Sequence, residues 1–181
     1  MAKRWTADEL LETVRGFQAA CVITAAADLD LFTALGKTPM TVAAVAQRIK
    51  ADPRATAVVL DALAALELLV KKGDVYEAPA DVAELLVADA PTNVLAGVRH
   101  QGNCLRRWDQ LARVVQTGRP ARREPSIRCE TGDCEAFIAA IAVATAITAR
   151  SGAMPSSAAP LRLRHSILAS LSAMNAASIA A

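Results

Sequence analysis

A mainly α-helical domain carrying one small β-wing is the fold class that these 181 residues predict. Hydrophobic residues make up 54% of the chain but aromatics only 3%. A core built from Ala, Leu, Val and Ile suits close-packed helices better than a β-sandwich, which draws on aromatic and β-branched residues. Apolar positions recur at i, i+3, i+4 and i+7 over most of the first 150 residues, the period of one buried helical face. A single stretch, "GDVYEAP" (73–79), alternates polar and apolar residues after a glycine, as a short strand does.

The N-terminal segment starts at a Thr6 or Asp8 cap with Glu9 in the first turn. Leu10, Leu11, Val14, Phe17, Cys21, Val22 and Ala25 trace its apolar side. "ADLDLFTALG" reads as a short helix stopped by Gly36, and "KTPMTVAAVAQRIK" as a proline turn, a Thr41 cap and a helix with Val42, Val45, Ala46 and Ile49 inward. The next helix begins at Asp52 (N-cap) and Pro53, whose missing N–H costs nothing at the first helical position. Its expected stripe is Val58, Val59, Ala62, Leu63, Leu66 and Leu69. Lys71 and Lys72 then sit at the negative end of the helix dipole and Gly73 supplies the stop. "ADVAELLVAD" is a short helix. Residues 91–120 read as one longer helix with Val98, Leu105, Trp108, Leu111 and Val115 on its apolar side, ended by Gly118 and Pro120. A polar loop, "ARREPSIRCETGDC", leads to "EAFIAAIAVATAITAR", apolar nearly all round and therefore expected between packed partners.

Two regions emerge: residues 1–150 as one helical domain, and residues 151–181 as a low-complexity tail with 9 Ala, 7 Ser and no acidic residue. The longest apolar runs are too short and too alanine-rich to span a bilayer, and the polar, acidic N-terminus does not resemble a signal peptide, which places the chain in the cytoplasm. Cys21, Cys104, Cys129 and Cys134 form no C-x-x-C pair and lie far from His100 and His165, so free thiols are expected and no metal site.

A helix followed by a β-wing has the outline of a winged-helix DNA reader, and a winged-helix transcriptional regulator is the alternative reading of this chain. The charge opposes it. Twenty basic and 18 acidic residues leave a net charge of only +2. The outward positions of the would-be recognition helix are Arg54, Thr56, Asp61 and Glu67, and the wing sets Asp74 and Glu77 against Lys71 and Lys72. Carboxylates facing phosphate repel it. Residues 99–128 do hold Arg99, Arg106, Arg107, Arg113, Arg119, Arg122, Arg123 and Arg128 against Asp109 and Glu124. Without interleaved aromatics this reads as a solvated or subunit-facing basic surface rather than a strand-binding one.

The succession "AADLDLFTALG", "TVAAVAQRIKADPRATAVVLDALAALELLVKKGDVYEAP", "VRHQGNCLRRWDQLARVVQTGRP" and "EAFIAAIAVATAITAR" resembles, over roughly residues 10–150, the N-terminal winged-helix-like dimerisation domain of S-adenosylmethionine-dependent O-methyltransferases of the plant caffeate and bacterial carotenoid-antibiotic type. The resemblance implies an intertwined homodimer and a domain that closes the pocket for a small-molecule hydroxyl acceptor without binding nucleic acid; no membrane partner is expected, and the helices over Trp5–Leu35 and Glu135–Arg150, whose apolar faces are wider than one small domain can cover, are the expected dimerisation surface. It also implies that the helix carrying His100 and Trp108 faces that pocket. Those two lie eight apart, on one side of a helix. The family's cofactor loop, of D-x-G-G-G-x-G type, is expected soon after Arg150, yet the eight glycines form no G-x-G. The chain is therefore expected to be a truncated or frame-shifted methyltransferase that neither binds S-adenosylmethionine nor contains catalytic residues, and its tail does not continue the family pattern.

Overall fold

The computed structural model describes residues 3–151. The tail assigned to 151–181 lies, after Ser151, outside the described residues. From the N-terminus the elements are helices α1 (Ala7–Arg15), α2 (Phe17–Asp28) and α3 (Leu31–Leu35), strand β1 (Met40–Thr41), helices α4 (Val42–Ile49) and α5 (Pro53–Ala65), strands β2 (Val70–Lys72) and β3 (Val75–Glu77), then helices α6 (Ala80–Leu86), α7 (Leu95–Trp108), α8 (Leu111–Thr117) and α9 (Cys129–Ser151). The architecture is thus a helical bundle with a small antiparallel sheet, as the composition demands.

The caps explain where the helices begin. Thr6 and Glu9 close a capping box on α1, each accepting the other's backbone N–H at 3.2 and 3.0 Å. Thr41 receives the Ala44 N–H at 3.3 Å, and Asp52 receives the Ala55 N–H at 2.8 Å ahead of Pro53. Asp52→Ala is expected to lower protomer stability by about 1 kcal/mol, read as a shifted urea midpoint at unchanged slope.

The core gathers Leu31, Phe32 and Leu35 of α3, Val45 of α4, Leu60 and Leu63 of α5, Leu69, Tyr76 and the α6 residues Val82, Ala83 and Leu86. Leu31 to Leu35 can turn inward because Asp30 takes a left-handed conformation (φ 56°) and redirects the chain after α2. Helix α7 packs on α2 and on α9. A Cβ at Gly102 would sit 3.2 Å from Thr24 Cβ, so this glycine permits the close approach of α7 to α2.

Several sequence expectations are corrected. The α5 helix stops at Leu66, not at Gly73, because Glu67 adopts φ 60° and the Leu68 N–H returns to the Leu63 carbonyl at 2.9 Å. Gly73 instead turns the β2–β3 hairpin (φ 64°), and Lys71 and Lys72 belong to β2. Val58, expected inside, is 65% exposed, while Thr56, expected outside, is buried and returns its hydroxyl to the Asp52 carbonyl at 2.8 Å. The wing has three strands in the order β1-β3-β2, with Met40 and Lys71 both opposite Tyr76. A two-residue β1 carries too little alternation to be seen in sequence. The helix expected over 91–120 divides into α7 and α8 at Asp109 and Gln110. Helix α9 begins six residues before Glu135, and Phe137, Ile138 and Ile141 on it stand exposed rather than packed.

Candidate functional site

Helices α7 and α9 enclose an open groove of about 460 Å³, lined by apolar residues that include Val94, Val98, Phe137 and Ile141. His100 lies on its wall, with its ring 5.2 Å from that of Phe137 and tilted 49° to it. The spacing of α7 puts Val94, Val98 and Gln101 beside it on the same side, and α9 supplies the opposite wall. The Nδ1 of His100 is buried without a protein hydrogen-bond partner, and its Nε2 is 3.6 Å from Cys104 Sγ. Burial, with Arg107 adding repulsion, pushes the His100 pKa below its usual value, and burial pushes the Cys104 thiol up. At neutral pH the pair is an uncharged imidazole next to a protonated thiol. Trp108 is half-buried two turns along α7 and does not line the groove, so the structure does not bring it together with His100 there. Sequence reasoning passed over Phe137, Ile141 and Cys104. The i, i+4 spacing of His100 and Cys104 was the one available signal for the last.

The groove does not fit S-adenosylmethionine by itself. Its polar side chains are His100 and Gln101, too few for the amino-acid and ribose groups of that cofactor. The positive-φ glycines Gly36, Gly73 and Gly118 close a helix, a hairpin and a helix, respectively, and form no cradle. Among the described residues there is no group of His, Cys, Asp and Glu that could hold a metal ion, and no helix long and apolar enough to cross a membrane.

The arginine-rich segment is partly turned inward, which the sequence did not reveal. Arg99 bonds the Asp30 carboxylate and, at 3.1 Å, the Ala27 carbonyl. Arg128 Nη1 reaches Asp30 Oδ2 at 2.6 Å, and Arg106 Nη1 lies 3.6 Å from Asp28 Oδ2, with its other nitrogen 3.9 Å from Asp133. Three arginines thereby tie the C-terminus of α2 to α7 and to the start of α9, and hold both groove walls. Burial raises the Asp28 pKa despite Arg106. A carboxyl with a raised native pKa takes up its proton before the unfolded chain does, so its contribution to stability grows as pH falls through that native value. The stability difference between the wild type and Asp28→Asn is expected to move in favour of the wild type as the pH is lowered from 7 towards 4, measured by urea denaturation at each pH.

The wing shows why the outline of a DNA reader is not matched by its charge. Asp61 on α5 accepts from Lys71 Nζ and from the Tyr76 hydroxyl, each at 2.6 Å, and Lys72 lies 3.7 Å from Glu77. These bonds hold the wing on α5 and occupy the two wing lysines. Exposed apolar side chains cluster elsewhere: Trp5, Leu10, Leu11, Val14 and Phe17 at the N-terminus, and Phe137, Ile138 and Ile141 on α9. No residue of α1 is buried.

The described residues thus form a helical bundle with a three-stranded wing, an apolar groove and exposed apolar side chains on the flanking helices. Residues 11–89 match the family model of the O-methyltransferase dimerisation domain. The matched stretch takes in α2 to α6 and the three-stranded wing. Human N-acetylserotonin methyltransferase, solved in complex with SAM, superposes with a TM-score of 0.65 at 25% identity over 83% of this chain and 49% of its own. PigF with SAH gives 0.57 at 28% identity, over 62% of this chain and 34% of its own. An O-methyltransferase family protein from Burkholderia thailandensis gives 0.64 at 23% identity, over 81% and 44%, a likeness that speaks for the fold. The chain thus spans about half or less of the length of these structures. No curated protein matches the sequence.

Proposed function

We propose that this chain is the dimerisation and pocket-closing part of a small-molecule O-methyltransferase. The observation that supports it best is the unburied apolar face of α1, together with Ile138 on α9, which lies outside the groove. Such a face is explained by a second copy of the chain, which covers the helices over Trp5–Leu35 and Glu135–Arg150 and gives a symmetric homodimer. The α7–α9 groove, with His100 on its wall, then supplies one side of the acceptor pocket. Trp108, outside the groove, serves packing at the end of α7. The methyl donor in such an enzyme is S-adenosylmethionine, held by a second domain with a glycine-rich loop. The 181 residues contain no G-x-G. Isothermal titration with S-adenosylmethionine is expected to give no heat of binding. A micromolar dissociation constant would overturn this reading. The internally paired wing gives no support to DNA binding, and a gel shift against bulk DNA is expected to show none tighter than micromolar.

A further inference from the structure

We infer that helix α9 is a strap latched at its first turn by Asp30, and that it lifts from α7 as a unit, opening the groove between them, while the rest of the domain stays folded. The core cluster draws its buried residues from α2 to α6, the wing and the adjoining loops, and takes none from α9. Helix α9 packs chiefly on α7, where Ala136 is buried and Phe137, Ile138 and Ile141 stay exposed. An element with few buried apolar contacts opens at a lower free energy than the core it leaves.

What holds α9 is charge, gathered at its head between residues 126 and 133. Asp30, at the turn between α2 and α3, accepts from Arg99 of α7 with one carboxylate oxygen. Its other oxygen accepts at 2.6 Å from Arg128, the residue before α9. One carboxylate thus draws together two guanidinium groups that otherwise repel each other. Both are largely withdrawn from water, at 14% and 27% exposed, so each loses much when that carboxylate is neutralised. Arg106 of α7 adds a second tie, 3.6 Å from Asp28 of α2 and 3.9 Å from Asp133 of α9. The Asp133 carboxylate accepts in turn from the Ser126 N–H at 2.8 Å and from its hydroxyl, which closes the loop at the head of the helix. Every one of these ties lies in the first turns of α9 or just ahead of it. Freed there, the helix keeps only its apolar contact with α7.

Hydrogen–deuterium exchange of the full chain, read by mass spectrometry, tests the latch in Asp30→Asn. Asparagine keeps the shape of the side chain and accepts the left-handed conformation of Asp30 (φ 56°), so the charge alone is lost. Exchange of the amides of residues 130–141 is expected to rise about ten- to a hundredfold, the effect of one hydrogen bond to a charged group. Exchange in α5 is expected to stay unchanged. Arg128→Gln, which leaves the turn after α2 intact, is expected to act in the same way. The two substitutions together are expected to do no more than Asp30→Asn alone, because both break one tie. Unchanged exchange in α9 would overturn the latch. Equal acceleration in α9 and α5, or an unfolded Asp30→Asn chain by circular dichroism, would make α9 part of the global fold and overturn the separate strap.

Discussion

Phe32→Ala is expected to lower the stability of the protomer by about 3–5 kcal/mol, a large fraction of what a domain possesses. Phe32 is 1% exposed and packs in the cluster that joins α3, α4, α5 and the wing. Its ring is one of only six Phe, Trp and Tyr side chains in the chain. Small aliphatic neighbours cannot shift far enough to refill the space, so most of the cavity persists. Urea denaturation followed by far-UV circular dichroism checks this. Phe137→Ala is the informative contrast. That ring is 41% exposed on α9, and its loss is expected to change protomer stability far less. A pair of equal effects would mean that α9 is core rather than surface.

Leu10→Asp combined with Val14→Asp is expected to leave each protomer folded but weaken self-association by at least a hundredfold, or about 2.7 kcal/mol. The two side chains lie one turn apart on α1 and are 53% and 60% exposed, so the protomer asks little of them. In an interface each apolar group contributes through the area it removes from water, and a carboxylate in its place brings a desolvation cost as well. Sedimentation equilibrium gives the dissociation constant, and circular dichroism shows whether the fold has survived. Dissociation with an intact helical spectrum supports an α1-centred interface. An unchanged dissociation constant would remove α1 from it.

The helix starts were legible because their signals are local. Asp52 with Pro53, and Thr41 ahead of Val42, state the cap in two or three adjacent residues. The surplus of apolar surface on the flanking helices was legible too, as more hydrophobic face than one small domain can cover. Helix ends that use a non-glycine residue were not. Glu67 takes a left-handed conformation that its side chain does not favour, so nothing local announces the end of α5, and the glycine six residues on looked like the stop. The break between α7 and α8 likewise falls at Asp109 and Gln110, without glycine or proline. The arginine segment misled for the opposite reason. Arg99 and Arg128 find Asp30 from 69 and 98 residues away, a pairing that only the packing of α7 and α9 on α2 creates. Of the candidate pocket residues, helical spacing placed His100 and Trp108 on one side of α7, but only His100 lines the groove between α7 and α9.

The central claim is that a second copy of this chain covers the apolar faces of α1 and α9. Sedimentation velocity of the purified wild-type chain at micromolar concentration tests it most directly. The account predicts a single species of twice the 19.0 kDa chain mass. A species at the chain mass itself, unchanged on raising the concentration tenfold, would contradict it.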